Sequence, residues 1–97
     1  MHATIRRYEG VDDVRTDELT RKVGETLVPR LKSLEGFSGY YLIEADNGVF
    51  SSVGLFKEPA QSDEATKIAA AWVKDEKLES MLPNPPRITS GRVIAQN

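Results

Sequence analysis

The chain has no cysteine, which excludes disulfides, thiolate metal sites and cysteine nucleophiles. Its single histidine, His2, has no second histidine with which to share a metal ion. Aromatic residues are sparse at 7%, and no stretch approaches the ~20 apolar residues that span a bilayer. The uncharged stretch Gly48–Phe56 is interrupted by Ser51, Ser52 and Gly54. Neither sign of charge dominates: 15 acidic residues against 13 basic ones leave a net charge of −2. That balance offers no electrostatic footprint for nucleic acid or an anionic membrane. The N-terminal residues enter a strand-like alternation without the apolar core of a signal peptide, so a cytoplasmic location is expected.

What is present is one domain's worth of chain. Ninety-seven residues are too few for two independent cores, and 1–97 reads as a single unit. His2–Tyr8 alternates like a strand. Thr16 is placed as a helix N-cap ahead of Asp17 and Glu18. Leu19, Val23, Leu27 and Leu31 then form one apolar stripe on a helix from about Asp17 to Ser33. Pro29 is expected to kink it, and Gly36 to follow it as the C′ glycine.

Phe37–Asp46 and Val49–Phe56 read as strands joined by Asn47-Gly48, the residue pair of a two-residue hairpin turn. That turn pairs Glu44 with Ser51, Leu42 with Val53 and Tyr40 with Leu55. Ser62 is a second N-cap candidate, opening a helix from Asp63 to about Asp75 with Ala65, Ile68, Ala69 and Trp72 on one face. Lys77–Met81 reads as a short turn. Leu82-Pro83-Asn84-Pro85-Pro86 suits neither helix nor central strand. Arg87–Ala95 is a last strand.

The order is βαββαβ, the split βαβ motif of a ferredoxin-like α+β domain. Right-handed crossovers put both helices on one face of a four-stranded antiparallel sheet. Apolar side chains occupy both faces of the central strands, so the periodicity leaves open which face meets the helices. Either way a second apolar face is left to water, and a homodimer through the sheet face is expected.

Three stretches carry a resemblance. They are Leu34-Glu35-Gly36-Phe37, Phe50-Ser51-Ser52-Val53-Gly54-Leu55-Phe56 and Ala69-Ala70-Ala71-Trp72-Val73. With the element order, they make the chain similar to the antibiotic biosynthesis monooxygenase family of the dimeric α+β barrel superfamily. The resemblance implies a homodimer whose sheets close into a barrel. It also implies a small-molecule cavity between helices and sheet in each subunit. The implied activity is cofactor-independent oxygenation of an aromatic or quinol-type molecule, with no cofactor. A non-catalytic ligand-binding or stress-associated homodimer is the alternative.

Candidate ligand-binding residues are Trp72, Tyr40, Tyr41 and Arg6. An indole or phenol offers a flat apolar wall with one polar handle. Tyr40 and Tyr41 must point to opposite faces, so at most one reaches a cavity. Arg6 shares a side with Thr4 and Tyr8; an inward arginine holds phenolate or carboxylate, whereas a half-exposed one paired with Glu44 is the expected reading. Relatives that degrade haem hold it through a helix histidine, which this chain lacks. Characterised monooxygenases of the family use a cavity asparagine, and Asn47, Asn84 and Asn97 are not expected to serve. Ser51 and Ser52 have no neighbouring base. Asp12-Asp13 and Asp63-Glu64 read as loop and helix-start charges, with no metal expected. No residue stands out as a catalytic base.

Overall fold

The structure, a computed structural model, describes residues 1–97 apart from the side chain of Asp13, so that half of the Asp12-Asp13 pair lies outside the described residues. Strands β1 (His2–Tyr8), β2 (Phe37–Glu44), β3 (Phe50–Phe56) and β4 (Arg87–Arg92) form one antiparallel sheet in the order β2-β3-β1-β4. Helices α1 (Thr16–Lys22), α2 (Val28–Lys32) and α3 (Pro59–Asp75) cover one face. This is the expected ferredoxin-like α+β fold. The core lies between that face and the helices, and includes Leu19, Leu27, Leu31, Phe50, Phe56, Ala65, Ala69 and Trp72.

The first helical run departs from a single kinked helix. A π turn at Val23–Leu27 separates α1 from α2, and the Val28 amide donates to the Val23 carbonyl. Pro29 supplies the reason. It has no N–H, and its ring would collide with the carbonyl four residues back in a regular helix. Widening the preceding turn removes both conflicts while Leu19, Val23, Leu27 and Leu31 stay buried. Thr16 lies inside α1 and not at its cap. Gly36 is not the C′ residue either, because α2 ends at Lys32. It takes φ +83° inside a separate turn closed by the Phe37 amide and the Leu34 carbonyl.

The start of α3 also differs. Glu58 and Gln61 form a reciprocal capping box, with Pro59 in the first turn, so the helix begins before Ser62. Ser62 is instead buried with Thr4, and their hydroxyls are in contact.

The β2–β3 hairpin corrects the expected register by one residue. Glu44 pairs with Phe50, Leu42 with Ser52 and Tyr40 with Gly54. The loop is longer than two residues, since the Ala45 amide donates to the Val49 carbonyl. Asn47 and Gly48 do adopt positive φ, at 62° and 73°. However, Gly48 is buried against the Val11 loop, whose amide donates to its carbonyl at 3.0 Å. Docking the tip there, and bringing Tyr40 and Leu42 onto the same side as Phe50 and Phe56, outweighs the tighter turn. A one-residue slip exchanges faces. Tyr40, Leu42, Arg6, Thr4, Phe50 and Phe56 therefore face the helices together. Ile5, Tyr41, Ile43, Val53 and Leu55 share the open face.

The same contact sets a testable expectation. A Cβ on Gly48 would lie 2.8 Å from the Val11 carbonyl oxygen, at a positive φ. Gly48→Ala is expected to cost about 1–3 kcal/mol, from left-handed strain plus displacement of the Val11 loop. A urea midpoint equal to that of the unchanged protein would contradict this placement.

Candidate functional site

β1 places Arg6 and Tyr8 on the helix-facing side, and the hairpin register brings Tyr40 of β2 to the same side. Arg6 is 3% exposed. This overturns the half-exposed reading with a Glu44 partner: Glu44 is exposed and accepts a hydrogen bond from the Thr16 hydroxyl at 3.1 Å. Nη1 of Arg6 and the Oγ of Ser52 are buried without a hydrogen-bond partner among the described residues. A buried guanidinium lacking a carboxylate is costly, and such groups are ordinarily paired.

Two adjoining cavities surround this arginine. An inner one of about 20 Å³ is walled by Trp72, Tyr40, Leu27 and Phe50. An outer one of about 370 Å³ lies between α3 and the proline-rich loop, with Ala70, Val73, Pro83, Pro85 and Ile88 on its walls. Arg6, Tyr8, Ala69 and Leu82 line both and form the partition. Lys74 and Glu79, both exposed, also line the outer cavity.

Burial pushes the Tyr8 phenol up from its usual pKa of 10.0, with the Arg6 charge opposing and the neighbouring Tyr40 adding to the rise. Burial likewise pushes Tyr40 up, against the Ser52 hydroxyl and Arg6 beside it. Both phenols stay protonated at neutral pH and act as donors, not bases. The sign for stability follows. A group whose pKa is higher folded than unfolded stabilises fully below the unfolded value and loses that contribution above it. Stability should therefore fall as pH rises above the ordinary phenol value of 10.0. Tyr8→Phe combined with Tyr40→Phe should flatten that decline in a denaturation series; an identical slope in the double variant would contradict it.

The remaining candidates fall as follows. Trp72 is buried in the core and lies on the wall of the inner cavity. Its indole N–H donates to the Thr26 hydroxyl at 2.7 Å, which in turn donates to the Lys22 carbonyl. Thr26 belongs to the π turn, so the irregularity that Pro29 imposes also orients the indole. Tyr41 is 61% exposed on the open face, away from both cavities. Asn84 corrects the reading of the asparagines, because it lines the outer cavity. Its Nδ2 donates to the Glu9 carbonyl at 3.0 Å and ties the proline loop to the end of β1. Sequence reasoning missed Tyr8, Asn84 and the loop prolines as cavity residues. Tyr8 was legible as sharing a side with Arg6; the loop's position depends on its docking against α3, which no local pattern records.

No group of three or more His, Asp or Glu residues is placed to hold a metal ion among the described residues. No described helix is long and apolar enough to cross a membrane.

No protein-family model and no curated protein matches the chain. Solved structures do. A Nitrosomonas europaea protein of unknown function is 20% identical, with 99% of this chain and 91% of that one covered at a TM-score of 0.72. An antibiotic biosynthesis monooxygenase is 14% identical, with 98% and 100% covered at 0.71. A dimeric ferredoxin-like protein from an uncultured marine organism is 13% identical, with 99% and 90% covered at 0.71. At these identities the likeness concerns the fold, and it supports the resemblance read from the sequence. The chain has the ferredoxin-like fold over essentially its whole length.

Proposed function

We propose that the protein is a homodimer that binds a small aromatic or quinol-type molecule in the outer cavity and oxidises it with O₂ without a cofactor. The observation that carries this reading is Arg6: a buried guanidinium with no carboxylate partner, its Nη1 without a hydrogen-bond partner among the described residues, beside Tyr8 on the wall of a cavity of about 370 Å³. Pockets that take small molecules are mostly apolar with a few convergent polar groups, and this one has that composition. In the reaction, an activated ring position of the substrate loses a proton and its anion passes an electron to O₂. One oxygen atom becomes a new carbonyl oxygen and the other leaves as water. The cavity contributes shape, a dry environment and the Arg6 charge beside the developing anion. Asn84 and Trp72 are the further side chains assigned to the cavity walls.

The second copy is assigned to the open sheet face, where Ile5, Tyr41 and Ile43 are exposed and contiguous. A neighbour of the same fold is named as dimeric. Static light scattering of the purified protein should give the mass of two chains; a monomer at micromolar concentration would sink the homodimer.

One observation favours the non-catalytic alternative. The groups nearest Arg6 are phenols pushed up by burial, which are poor bases at neutral pH. Oxygen uptake with dihydroxyanthrone and a naphthohydroquinone separates the readings. Uptake above the uncatalysed rate, lost in Arg6→Gln, supports the oxygenase. Binding of either compound without uptake supports the ligand-binding homodimer.

A further inference from the structure

We propose that the ligand of the outer cavity carries a carboxylate, and that this group docks on the guanidinium of Arg6 beside the hydroxyl of Tyr8. The inference rests on reading the cavity as a small-molecule site, and adds the chemical class of the ligand's polar end.

A guanidinium has five N–H donors and no acceptor. Nη1 is buried without a partner among the described residues. Tyr8 and Tyr40 lie beside the same guanidinium. A phenol oxygen turned toward an arginine accepts from it, which leaves the phenol hydrogen free to donate elsewhere. The wall around Arg6 is thus rich in donors and poor in acceptors. Glu79 is the one carboxylate among the residues lining either cavity. It is exposed, and no ion pair joins it to Arg6 among the described residues.

An occupant that satisfies such a wall needs several lone pairs and a negative charge. A carboxylate has two oxygens with about four acceptor sites and matches the planar arginine fork. A phenolate offers one oxygen and leaves part of the donor set unmet. Beyond the polar end, Ala70, Val73, Pro85 and Ile88 provide an apolar berth that suits one or two fused rings.

Isothermal titration of the full-length protein with naphthoate, its neutral isostere naphthamide, and naphthol tests this. Naphthoate should bind at least about ten-fold more tightly than naphthamide, the worth of a charge-assisted hydrogen bond. Arg6→Gln should abolish that preference while still binding naphthamide. Arg6→Lys keeps the charge but loses the fork, and should retain only part of the preference; it also serves should Arg6→Gln fail to fold. Tyr8→Phe should reduce naphthoate affinity several-fold. Equal binding of naphthoate and naphthamide would overturn the carboxylate assignment. Tightest binding of naphthol would overturn it in favour of a phenolic end while leaving the aromatic site standing. Binding of none of the three would overturn both.

Discussion

Phe56→Ala is expected to cost about 4 kcal/mol, within the range for emptying a large core site. Phe56 is completely buried at the end of β3, and its ring meets that of Phe37 edge-on, with centroids 5.9 Å apart at 72°. The same ring lies against Gly54, where an added Cβ would come within 2.9 Å of it. The sheet therefore leaves no side chain on Gly54 that could relax into the void. A domain of this size has a total stability of about 5–15 kcal/mol, so the variant would retain a small margin or unfold at room temperature. Its melting temperature should fall by roughly 15–30 °C. Gly54→Ala probes the same contact from the other side and should cost about 1–3 kcal/mol through overpacking. A loss below about 1 kcal/mol for Phe56→Ala would mean that Phe56 does not face the helices and that the hairpin register is wrong.

The second large effect belongs to the open face. Tyr41→Asp with Ile43→Asp is expected to weaken self-association at least about 100-fold, since central aromatic and aliphatic anchors carry most of an interface's energy. Two carboxylates would also face their own copies across a two-fold axis. Both positions are exposed within one subunit, at 61% and 49%, so the variant should remain folded. Sedimentation velocity should show monomer where the unchanged protein shows dimer, with an unaltered far-ultraviolet circular dichroism spectrum. A variant still wholly dimeric at low micromolar concentration would assign the interface to another surface.

The elements were legible because their signals are local. The alternation through His2–Tyr8 gave β1 to the residue, and the Leu19, Val23, Leu27, Leu31 stripe marked the buried side of the first helical run correctly. Misreadings arose where a distant contact outweighed a local preference. Asn47-Gly48 favours a two-residue turn, but Gly48 docks against Val11, 37 positions earlier in the chain, and the register moves. Ser62 is a good cap residue by type, yet Glu58, Pro59 and Gln61 make a better start and leave Ser62 to the interior. Pro29 announced a break without announcing its form. The structure answers it with a π turn that places Thr26 under the Trp72 indole.

The candidate site was legible as a set of residue types and not as a geometry. Strand parity separated Tyr40 from Tyr41 and grouped Arg6 with Thr4 and Tyr8. It could not say which group faced the helices, because both faces are apolar. Arginine is seldom fully buried without a partner, so general experience pointed Arg6 toward solvent and a carboxylate. Its burial is the feature that local pattern disfavoured most, and sites that break local rules are where function concentrates. Asn84 was set aside because it lies in a loop, and only the packing of that loop beside α3 brings it to the cavity.

The space beneath α3, with Arg6 on its wall, is the proposed binding place of a small aromatic molecule. A ¹H–¹⁵N nuclear magnetic resonance titration with dihydroxyanthrone tests it directly. The account predicts saturable shifts at Arg6, Tyr8, Ala69, Ala70, Val73 and Asn84, with the Trp72 indole N–H moving as the inner cavity responds. Shifts confined to Ile5, Tyr41 and Ile43 on the open sheet face, or no saturable shift at all, would contradict it.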